Sequence, residues 1–107
     1  ARAFGAFGMT GAPYIIARAV KLQLEREAES ASRAWNAIPG VGAGALGLTA
    51  DSVKQSPEYR RARLAYDAAV RAVRDYNRAF MREHGRQYCA DLRRERAAAY
   101  QTREAAE

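Results

Sequence analysis

The sequence predicts an all-α fold, an antiparallel helical hairpin with a Gly-rich hinge and a C-terminal charged helix. Three observations lead there. Residues 13–36 and 57 to about 84 place their apolar side chains three and four positions apart, the spacing of one helix face. Between them "IPGVGAGALG" crowds Pro39 and four glycines into ten positions, which breaks any helix. Nowhere do apolar and polar residues alternate as a half-buried strand would require. At 107 residues the chain is a single domain, too short for two independent cores.

Residues 1–12, "ARAFGAFGMTGA", follow neither period and predict an irregular arm. A helix is expected from Pro13, with Thr10 as its cap and the proline in the first turn, where its missing N–H costs little. Ile16, Val20, Leu24, Ala28, Ala31, Trp35 and Ile38 form its apolar stripe, opposite Arg18, Lys21, Glu25, Glu29 and Ser32. The hinge spans 37–48. "LTADSV" then predicts a short helical turn capped by Thr49. Ser56, Pro57 and Glu58 form a strong start signal: a capping hydroxyl, a proline preset for the first helical position and an acid near the positive end of the dipole.

In the helix that follows, Tyr59, Ala62, Tyr66, Ala69, Val73, Tyr76 and Phe80 keep the heptad rhythm of a packed seam. At 100° per residue Arg60, Arg63, Arg71, Arg74, Arg78 and Arg82 fall together on the opposite side, with Asp67 among them. Gly85 either ends this helix or bends it. Residues 86–107 have helical composition but little apolar period, and predict a charged helix that projects. The expected core is Ile16, Val20, Leu24, Trp35, Tyr66, Val73, Tyr76 and Phe80. Two helices cover each other's apolar stripes incompletely, so a homodimer completing a four-helix bundle is expected.

The net charge of +6 favours a polyanionic partner. Apart from Lys21 and Lys54 the cations are arginines, which suits bidentate phosphate recognition and equally follows from GC-rich codon usage. Cys89 is the single cysteine, so no internal disulfide forms and a reducing compartment is the default. "YIIARAV" is interrupted by charge and too short for a signal segment or a bilayer span. A soluble cytoplasmic protein is expected.

Two glycine motifs invite comparison with nucleotide and DNA sites. "GAGALG" at 42–47 satisfies G-x-G-x-x-G, but that chemistry needs a preceding strand and a βαβ unit, and a helix precedes it here. "IPGVG" at 38–42 resembles the hairpin of helix-hairpin-helix DNA-binding proteins. That resemblance implies phosphate contacts from the backbone N–H groups of Gly40 and Gly42. The sequence departs from that family in Gly44 and Gly47, and in having no cation before Lys54.

His84 has only Glu83 and Cys89 as ligand-type neighbours, short of the four a stable zinc site wants and without an oriented base for a nucleophile. No metal, cofactor or catalytic role is called for. Tyr59, Tyr66, Tyr76 and Phe80 could stack bases, but their spacing assigns them to the core. The arginine stripe reads first as a nucleic-acid surface, joined by Arg93, Arg94 and Arg96 of the tail. Glu58, Asp67, Asp75 and Glu83 lie on or beside the same helix and leave two other readings open, contact with an acidic protein and a solvated face.

The segment "GLTADSVKQSPEYRRARLAYDAAVRAVRDYNRAF", about a third of the chain, resembles a pattern in small uncharacterised proteins of bacteriophages and prophages. The likeness rests on its "GLT-D-VK-SPEYR" entry and "D-A---R--N--F" continuation. It implies a bacterial cytoplasm and an accessory protein that binds rather than catalyses, and assigns no residue a role. The expected function is a non-enzymatic, nucleic-acid-binding accessory of a mobile element. The alternative is a protein-interaction module, such as a phage inhibitor of a host defence or transcription complex.

Overall fold

A computed structural model describes residues 13–106, and the chain is all-α. Helix α1 (Tyr14–Asn36) is followed by a 3-10 turn at Ala45–Gly47, the short helix α2 (Asp51–Lys54) and the long helix α3 (Pro57–Ala106). The expected arm at 1–12, and capping by Thr10 with it, lies outside the described residues. Among the described residues, no helix is long and apolar enough to cross a membrane.

Local chemistry sets the helix ends. Pro13 precedes α1 with φ −56°, and its carbonyl accepts from the Ala17 N–H at 2.9 Å. Ser56 caps α3 as its sequence signal requires: its Oγ accepts from the Tyr59 N–H at 3.2 Å and donates to the Val53 carbonyl at 2.8 Å. Thr49 does not cap α2, whose N-terminus has no side-chain cap. Its Oγ1 instead accepts from the Gly42 N–H at 2.9 Å. Nor does Gly85 separate a further helix, since α3 continues through it for 50 residues.

Helix α3 packs on α1 with the chain directions opposed. Trp35, near the end of α1, meets Tyr59 and Tyr66 at ring separations of 6.0 and 5.2 Å. Tyr14, at its start, meets Phe80 and His84 at 6.3 and 5.7 Å. The centre of the contact holds Ala17, Tyr76, Ala79 and Phe80, the last only 2% exposed. Leu24, Trp35, Tyr66 and Val73 lie half-buried along it.

The buried face of α1 is rotated from the expected stripe. Ile16 and Val20 are exposed, and Ala17 and Lys21 take their place. Ala17 is small enough for Tyr76 to reach the backbone, where its hydroxyl donates to the Ala17 carbonyl at 3.0 Å. Lys21 is buried because its amine lies over the rings of Phe80 and Tyr88, at 5.9 and 5.1 Å, and pairs with Glu25.

Fifty residues of straight helix would measure about 75 Å, yet the longest extent of the molecule is 52 Å, with 47 Å across it and a thickness of 17 Å. Helix α3 therefore bends. Arg18 shows the direction, for its Nη2 lies 3.0 Å from the Glu95 carboxylate. In the register set by Trp35 and Tyr14, a straight α3 would put these residues roughly 25 Å apart along the axis, more than the two side chains span. The part of α3 beyond the Tyr14 contact folds back toward α1. Gly85 falls in this interval, where the lack of a side chain eases backbone adjustment.

Tyr14 completes the contact by donating to Asp91 Oδ2 at 2.6 Å. Arg18 Nη1 stands 3.4 Å from the same oxygen, and its guanidinium lies 5.3 Å from the centre of the Tyr88 ring. Hydrogen bonding to Arg18 holds the Glu95 carboxyl below its ordinary pKa.

Two outcomes follow from this core. Phe80→Ala is expected to cost about 3–5 kcal/mol in denaturant unfolding, as for a fully buried aromatic; a loss within error would remove Phe80 from the core. Desolvation raises the Tyr76 hydroxyl above its ordinary pKa, so its contribution to stability is complete below the unfolded value near 10 and is lost as pH rises through the folded one. Wild-type stability should fall over that alkaline range more steeply than that of Tyr76→Phe. Parallel pH profiles would contradict it.

Candidate nucleic-acid interface

Helical geometry places Arg60, Arg63, Arg71, Arg74, Arg78 and Arg82 on the side of α3 turned away from the seam, and all six are exposed. Because α3 bends toward α1, this outer side is convex. The same angular sector continues past Gly85 through Arg86, Arg93 and Arg96. One surface thus joins arginines that the sequence divides between two helices. The unbroken period across Gly85 was the signal for it.

The arginines fall into two groups by their neighbours. Arg63 Nε lies 3.1 Å from Asp67, and its guanidinium sits 4.6 Å from the Trp35 ring centre, so it is tied to the seam. Asp67 raises its already high pKa. Arg78 stands 3.7 Å from Asp75, and Arg94 is paired with Asp91. Among the described residues, Arg60, Arg71, Arg74, Arg82 and Arg93 have no carboxylate in ion-pair range. These five present uncommitted planar donors that match a phosphate bidentately. The paired arginines would first have to exchange a carboxylate for it.

Gly40 and Gly42 lie on the connection between α1 and α2, which is closed by its own backbone bonds. Val41 donates to Ile38, Ala43 to Gly40 and Gly44 to Leu48, at 3.1, 3.3 and 2.8 Å. The Gly42 N–H is engaged by Thr49, so a phosphate there would displace an existing acceptor. Gly40 has φ +92°, and a Cβ on it would stand 2.8 Å from Val53 Cγ2. Its glycine is thus explained by packing against α2. "GAGALG" forms the 3-10 turn, with Leu46 at φ 58°.

His84 lies between the rings of Tyr14 and Phe80, and its Nε2 is buried with no hydrogen-bond partner among the described residues, as is Trp35 Nε1. Cys89 is exposed. Among the described residues, no three side chains of metal-ligating type converge. No family model, curated protein or solved structure matches this chain.

Gly40→Ala combines a left-handed backbone with a clash, and is expected to destabilise the fold by about 1–3 kcal/mol. An unchanged midpoint in chemical denaturation would show that the connection rearranges freely.

Proposed function

We propose that this chain is a small non-enzymatic accessory protein of a phage or other mobile element, acting in the bacterial cytoplasm and binding nucleic acid through the convex arginine face of α3. The observation that carries this reading is the set of arginines without acidic partners: Arg60, Arg71, Arg74 and Arg82, continued by Arg93. A row of cations left open along one face is arranged for a polyanion, and the net charge of +6 draws one in. Arg63, Arg78 and Arg94 add charge to the same field while held by Asp67, Asp75 and Asp91. In this reading α1 and α3 are the arms of a hairpin hinged at the Gly-rich connection, and two hairpins associate as a homodimer.

A second reading makes the chain a protein-interaction module, such as an inhibitor of a host defence or transcription complex. It draws on the Arg63–Asp67 and Arg78–Asp75 pairs, in which arginines of this face already meet carboxylates.

Salt dependence separates the two. For duplex DNA, log K against log[salt] should have a slope of about −0.9 per phosphate contact, reduced by about one unit for each contacting arginine changed to Ala. Arg71→Ala and Arg74→Ala should show that reduction, and Arg63→Ala a smaller one. Absence of measurable affinity for DNA or RNA at about 50 mM salt, where electrostatic binding is strong, would sink the nucleic-acid reading. A partner retained from nuclease-treated bacterial lysate would then support the second.

A further inference from the structure

The free arginines of α3 keep a period longer than one helical turn. Arg60, Arg71, Arg82 and Arg93 stand 11 residues apart, each preceded by an apolar residue, Tyr59, Val70, Met81 and Leu92. A second arginine follows three residues later in three of the four copies, as Arg63, Arg74 and Arg96. The exception is Gly85, which falls where α3 bends. Eleven residues close three turns with about 20° left over, so the four arginines stay within one sector along roughly 50 Å of axis. All four are exposed, and among the described residues none has a carboxylate in ion-pair range. Codon usage raises the number of arginines but gives them no period.

The bend decides which polyanion can meet all four. Arg60, Arg71 and Arg82 precede Gly85 and Arg93 follows it, on the convex side of the helix. Duplex DNA has a persistence length of about 50 nm, about ten times the length of the row, and lies straight against it. A straight rod along the first three arginines leaves Arg93 turned away. A single strand, whose backbone is flexible, follows the curve with its phosphates. Beyond Arg93 the same sector holds Tyr100, 57% exposed, in a direction between those of Arg93 and Arg96. A solvent-facing ring at the end of a phosphate track is a stacking platform for an unpaired base. Inside a duplex both faces of each base are already covered by their neighbours.

We infer that the α3 row binds a single strand of DNA or RNA, with phosphates on Arg60, Arg71, Arg82 and Arg93 around the bend and a base stacked on Tyr100. This rests on the nucleic-acid function proposed above and narrows its ligand to the unpaired strand. At the ~3.4 Å per phosphate of a stacked strand, the row from Arg60 to Arg93 spans about 15 nucleotides, and fewer of a stretched one. DNA and RNA share the phosphate and the base face on which the contact depends.

Oligo(dT) and oligo(U) of about 20 nucleotides, enough to cover the row, are compared with a duplex of the same length by fluorescence anisotropy over a range of salt. The full chain should bind at least one single strand more tightly than the duplex, and the tighter of the two names the sugar. Arg60→Ala and Arg93→Ala should each lower the single-strand salt slope by about 0.7. Tyr100→Ala should weaken the same strand about 5- to 150-fold. Helical circular dichroism should be kept in all three variants, because the three positions are exposed. Arg26→Ala, which removes an exposed arginine from α1, should leave the slope unchanged. Equal or tighter binding of the duplex overturns the inference and leaves the proposed function standing. So does a slope lowered by Arg60→Ala but not by Arg93→Ala, which confines the ligand to one arm, and so does unchanged single-strand affinity in Tyr100→Ala. An equal loss from Arg26→Ala would assign binding to net charge and overturn the row. Absence of affinity for all three oligonucleotides overturns the function and the inference together.

Discussion

Tyr14 and Arg18, one turn apart on α1, meet Asp91 and Glu95, one turn apart on α3. Each pair has the four-residue spacing that brings side chains to one face, so the two helices interlock at two points. The outer pair, Arg18 with Glu95, is exposed to water and would contribute little alone. Asp91 makes the difference: its carboxylate is only 14% exposed and is shared by Tyr14, Arg18 and Arg94. Removing its partners would leave a shielded charge uncompensated. With the contact in place, α3 stays folded back, Tyr88 covers Lys21 and Phe80, and the convex arginine face is defined. Without it, the contact of 86–106 with α1 would rest chiefly on Tyr88, whose ring lies under Arg18 and Lys21.

That contact was invisible to local pattern. Arg18 and Glu95 are 77 positions apart, and each reads as one more charge on a wet face. The seam of α3 was legible through Tyr66, Val73, Tyr76 and Phe80, because large apolar residues with strict helical spacing have only one way to be buried. The Ser56 cap was legible for an equally local reason. On α1 the pattern misled by one position, from Ile16 and Val20 to Ala17 and Lys21. Ile16 and Val20 outweigh Ala17 and Lys21 in hydrophobicity, yet close approach to Tyr76 needs a small residue, and a lysine stem lies readily over aromatic rings.

The arginine row was legible in position but not in availability. Sequence spacing shows that Asp67 follows Arg63 by four residues and Asp75 precedes Arg78 by three, and the structure forms both pairs. What spacing does not reveal is that Arg63 also sits over Trp35. That commits it to the junction of α1 and α3 as much as to any ligand. Arginine abundance by itself carries little information, because codon usage produces it too. The sorting of paired from unpaired arginines along one continuous face is the informative part.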